Sequence, residues 1–430
     1  MDHNVHRHIC NNGMTVLIIP NDNVDTITVG MYVKTGSRYE TSRNNGVAHF
    51  LEHMLFKGSK HYPGNKLINK LDELGAQYNA ETSYETTCYY ISGHCDNTYE
   101  FINIIMDIYE HPQFNDNDII TERSVVFEEF NMYRDDTYDI ITDFMFANVF
   151  KGSTLGMTIL GPPSNIKQFD RSDLVKFHKA YYVPSRTVFI VSGNVNISKV
   201  RKYMDRKCNK SREYDRNNDY NIVKYRQTEA RIYHKSHRDA QSTNIIVGFR
   251  SEGLYSNNHH IYEIIADILG SGISSRLMHA FRNELGISYG AKAYNIAFSH
   301  EGIFMITVSV DHKHIDKAIN KIMEIVSDIA NNKVSRQELE RVKNYRMTNM
   351  ALELQTPLQM FEHYGTSEIY YMIDQQDDNI KRMTNIDTIR DIISNISIDD
   401  VYDTARALFG KHNMNIVILG AKPKAVKTAQ

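Results

Sequence analysis

The alternation of apolar and polar positions divides the chain into short strands and amphipathic helices. Within residues 8–34, the apolar run Thr15 to Ile19, a turn at Pro20-Asn21-Asp22-Asn23 and the β-branched run Thr26 to Val33 read as a hairpin. Gly36 to Asn45 is a polar loop, and Gly46 to Gly58 reads as a helix. The pattern then gives a helix around Lys66 to Leu74, a strand pair near Gln77 to Gly93 and a helix from Thr98 to Tyr109. A polar loop, Pro112 to Asn117, leads into a long helical stretch, Asp118 to Phe150.

The later chain repeats the earlier one. Asp173 to Tyr182 reads as a helix, followed by Pro184-Ser185 and a strand Thr187 to Val191 that ends at Gly193. A shift of 227 residues lays this segment on 399–420 without a gap, with Leu174 on Val401, Tyr182 on Phe409 and Gly193 on Gly420. A nearby shift of 216 sets Met31 to Tyr39 on Val247 to Tyr255. Between the copies, Arg206 to Arg226 holds seven Lys or Arg with repeated Asn and Asp and little apolar periodicity, the composition of a linker. The expected architecture is α+β: two homologous α/β-sandwich domains, 1–205 and 227–430, each an antiparallel-rich sheet packed by helices, joined by the linker 206–226.

The helix Gly46 to Gly58 carries the candidate chemistry. His49, Glu52 and His53 stand at i, i+3 and i+4, so two imidazoles and a carboxylate share one face, while Phe50, Leu51, Met54 and Leu55 turn toward a core. The order H-x-x-E-H reverses the commoner H-E-x-x-H. In both orders the histidines sit one turn apart and can ligate zinc, and the glutamate can take a proton from a metal-bound water. The same triplet is also what a solvated helix face looks like. A zinc site of this kind needs a third protein ligand, and the stretch Asp118 to Phe150 offers Glu122, Glu128 and Glu129, of which Glu122 and Glu129 are seven apart on one face. At the shift of 216, His49, Glu52 and His53 fall on Ile265, Ile268 and Leu269, so the second half lacks the metal residues.

Composition narrows the setting. A chain of 430 residues is long for one core and suits two domains. With 41% hydrophobic residues, 23% charged residues and a net charge of -3, neither a nucleic-acid nor a membrane partner is indicated. Cys10, Cys88, Cys95 and Cys208 form no CxxC pair, which suits buried thiols in a reducing compartment and makes them poor zinc candidates. The start, Met1 to His6, has no apolar segment and no Arg- and Ser-rich leader, so the expected location is cytoplasmic.

Taken together, these stretches resemble the pitrilysin and insulinase-like inverzincin metallopeptidases, in particular their mitochondrial processing peptidase β-subunit-like and bacterial short-chain members. His49 to Gly58 matches the family's metal helix. Glu122-Arg123-Ser124-Val125-Val126-Phe127-Glu128-Glu129 matches its second element, whose last glutamate is the third ligand. Gly75 to Thr82 is similar to its substrate edge strand, Leu269 to Leu277 to its glycine-containing turn, and Arg282 and Tyr289 to the Arg and Tyr that face the metal across the cavity. The leader of the mitochondrial members has no counterpart here.

The resemblance implies one zinc ion per chain held by His49, His53 and Glu129, with Glu52 as general base; for Glu122, support behind the ligands and a plain surface acid are equal readings. It also implies Asn79 and Ala80 as substrate contacts, Arg282 and Tyr289 as further donors, and an extended peptide as substrate. Because long members carry four such domains and this chain two, it implies a homodimer or a heterodimer with an inactive paralogue. The competing class is a non-catalytic scaffold or chaperone-like subunit of the same fold.

Overall fold

The computed structural model describes residues 5–237, 241–371 and 386–423. The first four residues, part of the start on which the compartment expectation rests, lie outside them.

The first half of the chain runs β1 (His6–Ile9), β2 (Thr15–Pro20), β3 (Thr26–Val33), α1 (Val47–Leu55), α2 (Lys66–Glu73), β4 (Gln77–Thr82) and β5 (Thr87–His94). It continues through α3 (Thr98–Glu110), α4 (Asp116–Asp135), α5 (Thr137–Val149), α6 (Pro163–Ile166), α7 (Arg171–Tyr181), β6 (Thr187–Gly193) and α8 (Ile197–Lys207). The second half runs β7 (Arg231–Lys235), β8 (Thr243–Glu252), α9 (His259–Gly270), α10 (Arg276–Met278), β9 (Ala291–Ala297) and β10 (Glu301–Val310). It ends with α11 (Ile315–Asn331), α12 (Arg336–Leu352), α13 (Pro357–Tyr371), α14 (Ile386–Asn395), α15 (Ile398–Leu408) and β11 (Met414–Leu419).

These elements form two compact units, each with one sheet. The strand orders are β1-β2-β6-β3-β5-β4 and β7-β11-β8-β10-β9. Without β1, the first order matches the second strand for strand, so the duplicated α+β architecture is present. The helices repeat too: α7 opens with a capping box of Asp170 and Asp173, and α15 opens with one of Ser397 and Asp400, at the shift of 227 read from the sequence.

Neither unit is contiguous. Among the described residues, the first gathers 5–131, 157–221 and 350–371, and the second gathers 132–156, 222–237, 241–349 and 386–423. The expected division at 206–226 follows the chain, whereas each compact unit takes a helix from the other half. Helix α5 lies on β8 and β11, and α13 lies on β3 and β6.

The pattern along β3 shows why a sheet needs this helix. Ile27, Val29, Met31 and Val33 join the core cluster that includes Phe50 of α1 and Phe101 of α3. Gly30 and Tyr32, on the opposite face by strand alternation, meet α13: the Tyr32 and Phe361 rings are 5.5 Å apart, and a Cβ on Gly30 would come within 2.8 Å of the Phe361 ring. Burying Phe361 alone contributes about 2 kcal/mol. In the second unit α5 has the corresponding place, with Met145 over Gly248 and the Tyr138 and Tyr294 hydroxyls 2.6 Å apart.

Two expectations need correction. The hairpin expected over 8–34 does not form, because β6 lies between β2 and β3, parallel to the first and antiparallel to the second. All seven residues of β6 are buried, which suits a central strand covered on both faces, and residues 21–25 pass around its end. There the Asn21 N–H donates to Gly193 O and the Asn194 N–H to Thr26 O. The single helical stretch expected over 118–150 is two helices: Asp136 caps α5 by accepting the Tyr138 N–H at 2.7 Å. No helix among the described residues is long and apolar enough to cross a membrane.

Candidate metal centre

Helix α1 has nine residues and no side-chain cap from the residue before it. Glu40 supplies one from upstream. Its Oε2 accepts from Asn45 Nδ2 and the Gly46 N–H, both at 2.8 Å, and its Oε1 accepts from the Ala48 N–H at 2.7 Å. A carboxylate in this place also meets the positive end of the helix dipole. Gly46 has φ 99°, and a Cβ there would sit 2.5 Å from Leu160 O, so glycine alone fits this entry. With Phe50, Leu51, Met54 and Leu55 fully buried, the remaining face of α1 presents His49, Glu52 and His53 together.

Helix α4 brings the partner carboxylates. Glu129 Oε1 lies 3.5 Å from His49 Nε2, and its Oε2 lies 3.3 Å from His53 Nε2. The two imidazole rings are 4.6 Å apart, centroid to centroid. One helical turn pair earlier, the buried Glu122 accepts from His53 Nδ1 at 2.9 Å with Oε1 and meets Lys57 Nζ at 2.6 Å with Oε2. Glu122 thus fixes the ring of His53 so that Nε2 faces Glu129, the arrangement of a supported metal-ligating histidine. The Nδ1 of His49 is buried without a hydrogen-bond partner, so that ring is fixed by packing. Glu128, next to Glu129 in sequence, is exposed.

Charge follows from this geometry. Burial works against a charged His53, but hydrogen bonds to Glu122 and Glu129 outweigh it and carry its pKa to about 10. Hydrogen bonds from His49 and then His53 hold Glu129 well below the usual carboxylate range. Glu52 goes the other way, since burial raises its pKa against the pull of His49 and His53. Two neighbouring carboxylates are therefore tuned apart, one toward a permanent anion and one toward proton exchange.

The donor set fits zinc. Ligands about 2.0–2.1 Å from a tetrahedral ion stand about 3.3 Å from one another, and the two separations to Glu129 are 3.3 and 3.5 Å.

Three further side chains serve this place without having been assigned a role from the sequence. Thr82, at the end of β4, donates its hydroxyl to Glu52 Oε2 at 3.3 Å. Lys57 balances Glu122, and Glu40 caps α1. Lys57 stands at i+4 from His53, a spacing that could have been used, whereas Thr82 and Glu40 arrive through the tertiary fold. Asn79 and Ala80 lie on β4, the outer strand of the sheet, with Asn79 exposed and Ala80 half-buried. Arg282 and Tyr289 belong to the second unit. Both are exposed, Tyr289 at 97%, so neither side chain is part of the core.

Comparison with known proteins points the same way. Residues 15–163 match the family model described as Insulinase (Peptidase family M16), and residues 168–345 match the one described as Peptidase M16 inactive domain. A Rickettsia felis protein named as an uncharacterized zinc protease is 28% identical over 409 residues, 95% of each chain. The Caenorhabditis elegans mitochondrial-processing peptidase subunit beta is 25% identical over 407 residues, 92% of this chain and 85% of its own. Among solved structures, a protease from Helicobacter pylori superposes with a TM-score of 0.85 at 19% identity, covering 98% of this chain and 100% of its own.

Proposed function

The chain belongs to the insulinase family of peptidases, family M16, and on that premise we propose that it is a zinc-dependent endopeptidase acting on extended peptides or unfolded segments. The observation that carries this reading is the convergence of His49, His53 and Glu129 beside Glu52. His49, His53 and Glu129 would hold one Zn²⁺ in this site. When bound, such an ion lowers the pKa of water and polarises a peptide carbonyl.

The rest is the work of side chains. Glu52 receives the proton of the attacking water at its carboxylate and returns it to the leaving amine, a role that its raised pKa and its Thr82 contact favour. Glu122, backed by Lys57, keeps the His53 ring in the one orientation that leaves Nε2 toward Glu129. Strand β4 is the edge of its sheet and packs against α1, so a substrate strand added along Asn79 and Ala80 would lie beside the reacting groups and be held by its backbone. Arg282 and Tyr289 are proposed as donors to the substrate from a second-repeat unit.

Assembly as a homodimer, or as a heterodimer with an inactive paralogue, belongs to the same proposal and is supported by the likeness to a relative named as a subunit. Four free cysteines suit the cytoplasm as its compartment. The test is zinc content by elemental analysis together with cleavage of a quenched peptide. One zinc per catalytic cluster and activity abolished by a chelator are expected; cleavage that a chelator leaves intact would refute the reading.

A further inference from the structure

The segment with linker composition, 206–226, is not free chain: as far as residue 221 it belongs to the first compact unit. Two arginines of that unit hold it. The Arg186 guanidinium lies 4.0 Å from the centroid of the Tyr214 ring and 4.7 Å from that of Tyr39, and its Nη1 reaches Asp219 at 3.4 Å. The Tyr214 hydroxyl donates to the same Asp219 oxygen at 2.9 Å. The Arg38 guanidinium lies 3.9 Å from the centroid of the Tyr220 ring, which meets the Tyr39 ring edge to face at 5.1 Å. Both arginines are buried, and a guanidinium on an aromatic face gains most where water is excluded. Such contacts need no apolar periodicity, so the polar composition of 206–226 conceals them.

Arg38 is also half of a fully buried ion pair. Its Nη1 is 2.6 Å from Glu85 Oε1, and the Tyr220 hydroxyl donates to that same oxygen at 3.0 Å. Glu85 sits in the turn that joins β4 to β5, which is closed by the Ser83 N–H donating to Thr86 O at 2.8 Å. The loop around Arg38 lies against this turn backbone to backbone: the Ser37 and Arg38 N–H groups donate to Ser83 O and Tyr84 O, at 3.2 and 2.8 Å. Three residues before Glu85 stands Thr82, whose hydroxyl donates to Glu52. Tyr220 thus closes a buried pair that fixes the turn, and the turn fixes the end of the strand from which Thr82 reaches Glu52.

Resting on the reading of Glu52 as the general base, we propose that Tyr220 is a positioning residue for hydrolysis: through Arg38 and Glu85 it holds the β4–β5 turn, and so Thr82, in place against Glu52. A tyrosine that only tied down a loose segment would need no more than a surface contact. Here the hydroxyl enters a carboxylate–guanidinium pair without measurable exposure, where loss of one partner is felt by both charges.

The experiment compares wild type, Tyr220→Leu and Tyr220→Phe as zinc-loaded full chains at equal zinc content. The first readout is hydrogen exchange at the Arg38 and Ser83 amides, which needs no peptidase activity. Tyr220→Leu should speed it by about 10-fold, as expected for loss of a hydrogen bond to a charged group, while exchange in β6 stays at the wild-type rate. Tyr220→Phe, which keeps the ring on Arg38 and removes the hydroxyl alone, should lie between the two. The second readout is a double-mutant cycle on kcat with Thr82→Val. Tyr220→Leu and Thr82→Val should each lower kcat by about 10-fold, and the double variant by about 10-fold as well, where independent effects would give about 100-fold. Unchanged exchange at both amides in Tyr220→Leu overturns the proposal, as does a double variant at the product of the two single losses. A wild type without cleavage that a chelator abolishes instead refutes the peptidase reading itself, and the proposal with it, whatever the exchange shows.

Discussion

Helices α1 and α4 of the first unit and helices α9 and α12 of the second are the same pair in the two repeats, and they are joined by different chemistry. In the second unit Arg346 of α12 reaches Glu263 and Asp267 of α9, each at 2.8 Å. Burial works against the charge of Glu263, yet Arg346 outweighs it and keeps the carboxyl well below its usual range. One guanidinium between two carboxylates is complete in itself. At the positions matching His49, Glu52 and His53 stand Ile265, Ile268 and Leu269, all buried without measurable exposure. In the first unit two imidazole Nε2 atoms are aimed at a single carboxylate, and one Nδ1 is left without a partner. The scaffold can therefore be closed by an ion pair, and where it is closed by imidazoles the arrangement suits a divalent cation.

The largest effect that would break this comparison is loss of the third carboxylate. Glu129→Gln should lower zinc affinity by more than the about 10–100-fold that loss of an outer partner costs, while Glu128→Gln should leave it unchanged. Equal occupancy in the two variants, measured by elemental analysis, would remove Glu129 from the ligand set.

Next in size is the ion pair of the other repeat. Arg346→Met leaves Asp267 without its guanidinium partner and Glu263 with only its contacts to His260 and His259, and should destabilise the second unit by about 3 kcal/mol, with zinc content unaltered. Denaturant unfolding followed by hydrogen exchange in α9 and α12 checks the first part. A change below about 0.5 kcal/mol would show that the pair does not hold these helices.

Glu122→Gln comes third. It keeps a hydrogen bond to His53 but loses the charge, so metal affinity or turnover should fall by about 10-fold, toward the lower end for an outer partner. A variant with wild-type values on both measures would make Glu122 a structural acid.

The smallest effect concerns acid. His178 is buried, and desolvation lowers its pKa to about 3 although its Nε2 lies 2.9 Å from Tyr109 O. At the matching position of the second repeat stands Ala405, which cannot titrate. A histidine whose folded pKa lies below the unfolded value of about 6.5 costs nothing above that pH; as pH falls further, the unfolded chain gains the proton first. The stability of the first unit should therefore drop by up to about 1.4 kcal/mol per pH unit below 6.5. In His178→Leu, compared at equal zinc, this component of the slope should disappear; an unchanged slope would contradict the assignment.

Much of this was readable before the fold was known, and the reasons are local. The i, i+3, i+4 spacing of His49, Glu52 and His53 fixes one helix face, and the capping residues Asp170 and Ser397 sit at one shift because both repeats start a helix there. The rest depends on distant chain. Nothing in Thr15 to Val33 says that Thr187 to Gly193 will enter between its two strands, since a five-residue connection serves either arrangement. The exchange of α5 and α13 is hidden because an amphipathic helix does not reveal which sheet it covers. Only Gly30 and Gly248, the small residues beneath those helices, mark the places, and a glycine in a strand has several readings.

The central claim is that His49, His53 and Glu129 hold zinc while Glu52 moves the proton. It is tested most directly by Glu52→Gln, measured for zinc content and for hydrolysis of a quenched peptide in the same sample. Gln is nearly isosteric and cannot accept the proton, so zinc should stay at the wild-type level while kcat falls by about 10²–10⁴-fold. Cleavage at more than a few percent of the wild-type rate, with zinc retained, would contradict it.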